Sequence, residues 1–495
     1  MKALRLLLPR LEYILLIAVF WGIVASGPRI LNFDGDLPRH LLHGKLILQE
    51  RQVATTDIFS FRTTGYPSFP HEWLTQVVFA LVYRWLALDG IVLLTALVIT
   101  LTWGLVFRRA LRRSNSLLVT LVLVALGIAA SQIHVLPRPH ILSYLFTAIW
   151  ISLLENVDRG QRGFWWTLPA VMLLWVNLHG MFVLGILILG MYLVGDFLDL
   201  PTGAWFTAPK TKSLLLTGGL SLLATFVSPS GPHIWEAIAS LGSNAYITSK
   251  IPEYQSPNFH LPETWPFVAL LLLTLIGLAR RTKKISWTET LLVTAFTGLA
   301  LYSSRMIPMF ALVVTPIAAN ATADWLRIDY PRARLWAVDV NLYKTNSASN
   351  GLIWIVASVL LIAILLRSGA TIDPEGRGNQ FDERFFPVEA VAWLENHPQT
   401  GRMFNEFDWG GYLLLRLWPG HQIFMDGHTH IYGEALTREY EQVVLQNKGW
   451  ENILDNYQVQ WVIMRKNAPL IPALLALGDW EIAYEDTTTA ILIRR

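Results

Sequence analysis

Asn32-Phe33-Asp34-Gly35-Asp36-Leu37-Pro38-Arg39-His40, answered about thirty residues later by His71-Glu72-Trp73, is the stretch on which the reading of this chain turns. Two aspartates, two histidines, an arginine and a glutamate gather there, directly after an apolar run from Leu11 to Ile30. Ionisable groups set against a bilayer are costly, and their default meaning is functional. The plainer alternative is a solvated loop whose charges anchor a helix end. Asp34 and Asp36 stand where the chain leaves its first apolar segment, which favours the functional reading.

The remainder of the chain avoids charge. Of 495 residues, 53% are hydrophobic and 15% charged, against about 25% charged in an average soluble domain, and the mean hydropathy is +0.41. Repeated apolar runs of membrane-spanning length indicate an α-helical polytopic membrane protein. The 21 tryptophans and 15 tyrosines suit the aromatic belts of the two interfaces. With no cysteine, disulfides and thiolate metal sites are excluded. No small-residue cleavage site follows the first apolar run, which reads as a retained span and not a signal peptide.

Charge orients the spans. Lys2, Arg5 and Arg10 precede the first, Leu11–Ile30, and place the N-terminus in the cytoplasm. The next basic cluster, Arg108-Arg109-Ala110-Leu111-Arg112-Arg113, should share that side, so an odd number of crossings joins the two. Trp73 to Phe107 is long enough for two short helices, interrupted by Arg84 and Asp89-Gly90. The charge rule therefore makes Glu72–Leu88 an interfacial helix and Ile91–Phe107 the second span. Further spans near Leu117–Gln132, Ile141–Leu154, Trp165–Val176, Phe182–Phe197, Leu214–Val227, Phe267–Leu278, Leu291–Tyr302, Ile307–Ala319 and Leu352–Leu366 bring the total to about eleven. The cytoplasmic loops then hold Arg159 and Arg162, Lys210 and Lys212, Arg280 to Lys284, and Arg327, Arg332, Arg334 and Lys344. All twelve histidines fall on or beyond the outer face. Residues 1–367 are thus read as a transmembrane domain, 31–89 as its first outer loop, and 368–495 as a separate extracytoplasmic domain.

That last domain reads as α/β. Pro387 to Leu394 and Glu434 to Leu445 have helical period. Arg402–Asn405, Gln422–Met425, Val459–Met464, Trp480–Tyr484 and Thr489–Ile493 have the pattern of short strands. It carries no Gly-rich phosphate fingerprint, so nucleotide binding there is not expected, and nucleic acid is not an expected partner. Asp426-Gly427-His428-Thr429-His430 could hold a divalent metal, although a polar cluster after a strand is more often a turn that hydrogen-bonds itself.

Several of these motifs together resemble the GT-C superfamily of polytopic glycosyltransferases, which includes protein O-mannosyltransferases, lipid A aminoarabinose transferases and oligosaccharyltransferase catalytic subunits. The similarity is carried by Asp34, Asp36 and His40, by Asp57-Ile58-Phe59-Ser60 and His71-Glu72-Trp73-Leu74, and by Trp175-Val176-Asn177-Leu178-His179-Gly180. Asp408-Trp409-Gly410-Gly411-Tyr412-Leu413 extends it into the tail, where His428 departs from an expected arginine. The resemblance implies a first loop built from two interfacial helices, roughly Leu37–Glu50 and Glu72–Leu88, and a catalytic carboxylate near the end of the first span. It also implies a sugar donor on a polyprenyl phosphate or diphosphate, used at the outer face.

Physical chemistry leads the same way. Outside the cytoplasm there are no nucleotide sugars, so a transferase there needs a lipid-carried donor. Transfer needs a base for the acceptor and cations for the departing phosphate. Asp36 or Asp34 can supply the base, with Asp36 preferred. Arg138, set between Pro137 and Pro139 beside His140, and Arg305, at the opening of a span, are the candidates to bind donor phosphate; the alternative for each is snorkelling to headgroups. His40, His71, Glu72, His140 and His179 form the supporting polar site. Asp36, His40 and Glu72 are also candidate ligands of Mn²⁺ or Mg²⁺. Lys45 and Arg51 suit lipid phosphates. The expected activity is inverting transfer of a sugar from a polyprenyl-phosphate-linked donor to a glycan, lipid or protein acceptor, in a bacterial inner membrane with its site on the outer face. A surface-polysaccharide polymerase or ligase, a transporter or flippase of lipid-linked sugars, and a non-catalytic scaffold are the alternatives. A transporter would show internal repeats with paired broken helices, and none is evident.

Overall fold

A computed structural model describes residues 9–158, 166–201, 203–205, 207–331, 338–340, 342, 351–368, 376 and 378–495. Lys2, Arg5, Arg159, Arg162, Arg332, Arg334 and Lys344 of the orienting clusters lie outside these residues.

Each predicted span has its helix. Six are long and apolar enough to cross a membrane by length and composition alone, and Leu11–Ala25, Thr167–Leu178 and Leu352–Ser368 are shorter apolar helices. Pro209–Ala224 and Trp287–Tyr302, of 16 residues each, complete the set among the described residues. Their starts follow local chemistry. The Ser286 hydroxyl accepts from the Glu289 amide to open Trp287–Tyr302, and Ser116 does the same for Val119 at the head of Leu117–Ser131. Ile307–Asp329 is the central helix, buried among its neighbours from Ile307 to Ala323 except at Asn320.

Two expectations are refined. The first span is not one helix to Ile30: it ends at Ala25 and a second turn, Gly27–Asn32, begins with Pro28 near its head. Pro28 has no N–H to continue the first ladder, so the chain re-aims there. The two-helix reading of Trp73–Ser114 holds, with the break at Ala87 (φ 48°, ψ −144°) rather than at Asp89-Gly90. Trp85, just before the break, is 79% exposed, as suits an arm lying along an interface.

The Leu37–Glu50 helix packs across the Trp73 arm on one side and on the tail helix Gly410–Leu417 on the other. The tail holds a mixed four-stranded sheet, β1 (Arg402–Asn405), β2 (Val459–Arg465), β3 (Trp480–Glu485) and β4 (Thr489–Arg494), in the order β1-β2-β4-β3. β1 and β2 are parallel, joined through Gly410–Leu417, Thr429–Val444 and Trp450–Asn456, and the other pairs are antiparallel.

Gln422–Met425 is not a fifth strand. The Asn405 side chain takes its backbone instead, accepting from Phe424 N and Met425 N and donating to Met425 O. Ile423 pairs in an isolated bridge with Ser60 of the first loop. The segment is extended as its pattern suggests, but it pairs with the loop and not with the sheet. Loop and tail share a core in which Leu42 and Phe59 pack with Phe386, Met403, Trp409 and Ile463. Arg62 locks the same seam, its guanidinium 4.0 Å from the Phe424 ring centroid and 2.6 Å from Glu439.

Candidate functional site

Asp34 and Asp36 sit in the turn between Gly27–Asn32 and Leu37–Glu50, at the end of the bundle covered by the sheet domain. Asp34 is fully buried: its Oδ1 accepts from Arg138 Nε at 2.8 Å and from the Asp36 amide at 2.9 Å, while its Oδ2 is buried without a hydrogen bond. The Asp36 side chain is 22% exposed, with Arg138 at 3.4 Å and Arg39 at 3.6 Å. Burial pushes the Asp34 carboxyl up to about 6 despite Arg138. Burial acts on Asp36 too, but Arg138 and Arg39 outweigh it and hold that carboxyl down at about 2. The two acids are therefore set apart: one buried and the more basic, the other reachable and held firmly ionised.

The tail closes over this turn. A Cβ on Gly35 would lie 2.6 Å from the Asp408 carbonyl oxygen, and one on Gly427 would lie 2.2 Å from Asp36 Oδ1. Only glycine lets backbone come so near. Asp426 follows the plainer of its two readings, accepting from His428 N and Tyr432 Oη in a turn, and it adds a 3.8 Å pairing with Arg39 Nε.

Arg138 reaches a third carboxylate, Glu253, at 3.2 Å. Glu253 lies on the turn Pro252–Tyr254, whose Glu253 carbonyl accepts from the hydroxyls of Ser303 and Ser304. The same turn sets Tyr254 Oη as acceptor for Arg305 Nη1 at 2.9 Å, while Arg305 Nε is buried without a hydrogen bond. Arg138 and Arg305 thus meet at one turn, with a carboxylate and a phenol between them.

A second cluster surrounds Glu72, which has His179 Nε2 at 3.5 Å, His71 Nε2 at 3.7 Å and His40 Nδ1 at 3.8 Å. The His179 tautomer follows from its neighbours. Trp175 Nε1 can only donate, so Ser143 Oγ accepts it and gives its own hydrogen to His179 Nδ1. His179 Nε2 then carries the proton that faces Glu72. Burial pushes the His40 imidazole down to about 4, so it is neutral at pH 7. His140 stands behind, its Nε2 donating to the His134 carbonyl and its ring 6.4 Å from that of His179.

All nine residues expected from the sequence lie at this one end, in two groups joined through Arg39 and His40 on consecutive positions of one helix. Among the described residues, no group of three or more His, Asp or Glu side chains is placed to hold a metal ion. Of the cation candidates, Glu72 and His40 face each other, whereas Asp36 faces two guanidinium groups. Glu253 and Tyr254 were not foreseen, nor was the pairing of Asp426 with Arg39. The need for an acid to balance Arg138 and Arg305 could have pointed to Glu253, but Glu236 and Glu263 in the same outer loop offered equal claims.

A bundle of apolar helices, a first loop across one end and a small mixed sheet over that loop define the class: a polytopic membrane protein of the GT-C fold. The chain is similar to the archaeal oligosaccharyltransferase AglB from Archaeoglobus fulgidus, solved with an inhibitory peptide and a dolichol-phosphate, at a TM-score of 0.60 and 11% identity over 92% of this chain and 69% of that one. It is similar also to ArnT from Cupriavidus metallidurans bound to undecaprenyl phosphate, at a TM-score of 0.51 and 15% identity over 97% of each chain. At such identities the likeness is one of fold. No family model and no curated protein sequence matches the chain.

Proposed function

We propose that this chain is an inverting glycosyltransferase that moves a sugar from a polyprenyl-phosphate-linked donor to a glycan, lipid or protein acceptor. The observation that carries the reading is Arg138, shared among Asp34, Asp36 and Glu253 and brought by one turn beside Arg305. In this reading Asp36 takes the proton of an acceptor hydroxyl as that oxygen attacks the anomeric carbon. The bond from that carbon to the phosphate oxygen breaks, and its electron pair leaves on polyprenyl phosphate. Arg138 and Arg305 neutralise the charge that develops there.

Donor binding would also ready the base. Arg138 holds Asp36 ionised and weakly basic; drawing that guanidinium towards a phosphate leaves a more basic carboxylate. A Mn²⁺ or Mg²⁺ ion held by Glu72 and His40 would add positive charge beside the same bond. The site end is read as extracytoplasmic in a bacterial inner membrane, supported by the arginines gathered at the other end. The solved AglB and ArnT structures contain dolichol-phosphate and undecaprenyl phosphate, which supports a lipid phosphate as ligand.

Affinity for undecaprenyl phosphate in nanodiscs tests this. Arg305→Ala is expected to weaken binding by about 1.5–3 kcal/mol, the range for a hydrogen bond to a charged group. Arg305→Lys should restore only part, because an ammonium lacks the planar fork. Equal affinity in all three proteins removes Arg305 from the site, and no binding by the wild type removes the lipid-donor reading.

A further inference from the structure

Beside the Glu72 cluster lies a cleft between the Leu37–Glu50 helix and the hairpin that follows it, closed by a Thr56–Pro67 bridge. Three carboxylates line it, Glu50, Asp57 and Glu72, and no lysine or arginine does. Asp57 is turned into its own loop, accepting from Phe59 N, Ser60 N and Thr63 Oγ1, which leaves Glu50 and Glu72 to face a ligand. Its wall is aromatic: the His43 ring stacks on Phe59 at 4.4 Å with 12° between planes, and Phe69 lies opposite in sequence on the hairpin. His43 Nε2, in that wall, is buried without a hydrogen-bond partner. Glu72 belongs both to the cleft and to the histidine cluster, so the cleft adjoins the transfer site.

We infer that this cleft holds a sugar ring bearing hydroxyl or amine groups and no acid. The inference rests on the reading of the chain as a glycosyltransferase. Carboxylates accept from hydroxyl or ammonium donors, and flat aromatic faces pack the C–H face of a sugar. An acidic sugar would meet the like charges of Glu50 and Glu72 and no cation, and it is rejected. Phosphate is excluded by the same count, which separates this cleft from the Arg138–Arg305 side. The sugar of the donor and the end of a glycan acceptor share this chemistry.

The experiment is saturation-transfer NMR on the full chain in nanodiscs, with methyl glucoside, methyl mannoside, methyl galactoside, glucosamine and glucuronate as probes. At least one uncharged or amino sugar should bind, and glucuronate should bind about tenfold more weakly or not at all. Ala54→Trp, at the exposed rim, should fill the cleft and weaken the bound sugar about tenfold or more without changing thermal stability. His43→Phe keeps the stacked ring, removes the unpartnered nitrogen, and should weaken the sugar about fivefold. Displacement of the probe by a sugar-bearing polyprenyl phosphate but not by bare undecaprenyl phosphate assigns the cleft to the donor's sugar; no displacement by either assigns it to the acceptor. Binding by none of the uncharged or amino sugars, equal binding of glucuronate, or no effect of Ala54→Trp overturns the inference. Undecaprenyl phosphate affinity on the same samples keeps the two failures apart: loss of lipid binding alone sinks the transferase reading and leaves the cleft a sugar site.

Discussion

Both ends of the helix bundle concentrate charge, and they hold it differently. At the end away from the sheet, Arg109, Glu155, Arg113, Glu289 and Arg281 alternate, with contacts of 2.9, 3.1, 2.8 and 2.9 Å. Within the site at the sheet end only Asp34–Arg138 is that short, at 2.8 Å, while Arg62–Glu439, at 2.6 Å, lies outside it in the seam between loop and tail. The other pairs among Asp36, Arg39, Glu72, Arg138, Glu253, Asp426 and the histidines run from 3.2 to 3.8 Å. Short alternating pairs tie helix to helix, although Arg109 Nη1 and Arg281 Nε among them are also buried without a hydrogen bond. Looser pairs, with Asp34 Oδ2 and Arg305 Nε unsatisfied, have bonding capacity to spare. Charge density alone does not mark the site, and neither do unsatisfied atoms, which occur at both ends; the meeting of looser carboxylate–guanidinium pairs with a histidine cluster does.

The sharpest way to break the comparison is all-or-none. The chain has no cysteine, so Asn115→Cys and Lys448→Cys, both exposed and at opposite ends, give single labels. An impermeant thiol reagent on intact spheroplasts should modify Lys448→Cys and spare Asn115→Cys; the opposite pattern reverses the orientation. Next in size, Asp36→Asn should lower transfer from a lipid-linked sugar by about 10²–10⁴, the contribution of a general base, with little change in melting temperature. Unchanged turnover would move the base elsewhere.

Glu155→Gln should act in the converse way, because it leaves Arg109 and Arg113 without their shared anion. A loss on the order of 3 kcal/mol of stability is expected, read as a lower melting temperature, with transfer per folded molecule intact. The smallest effect belongs to Glu253. If its carboxylate competes with phosphate for Arg138, Glu253→Gln should tighten undecaprenyl phosphate by roughly fivefold, within the worth of a partly exposed ion pair. Weaker binding would instead make Glu253 a ligand contact.

The spans were legible because each is a run of apolar residues closed by basic ones, a signal local to the helix itself. Leu37–Glu50 matches the expectation carried by the resemblance at both ends. Gln422–Met425 was misread because alternation reports an extended backbone and not which partner will take its hydrogen bonds. Gly410–Leu417, Trp450–Asn456 and Leu470–Leu477 were not foreseen, being seven or eight residues long and, in the first case, opened by two glycines. The arginines and first-loop acids stood out against an apolar background. Glu253 did not, since its meaning comes from Arg138, 115 residues earlier.

The bridge between Ser60 and the Phe424 carbonyl spans 364 positions of chain. Closing so wide a separation is slow relative to local helix formation. A ribosome that has finished the first loop still has most of the protein to make before Gly427 can settle against Asp36. Throughout that interval the acidic turn stands without its cover, and the pieces of the site contributed by the tail do not yet exist. The tail's share of the site, Asp426 and Gly427, is thus made long after the turn that it covers.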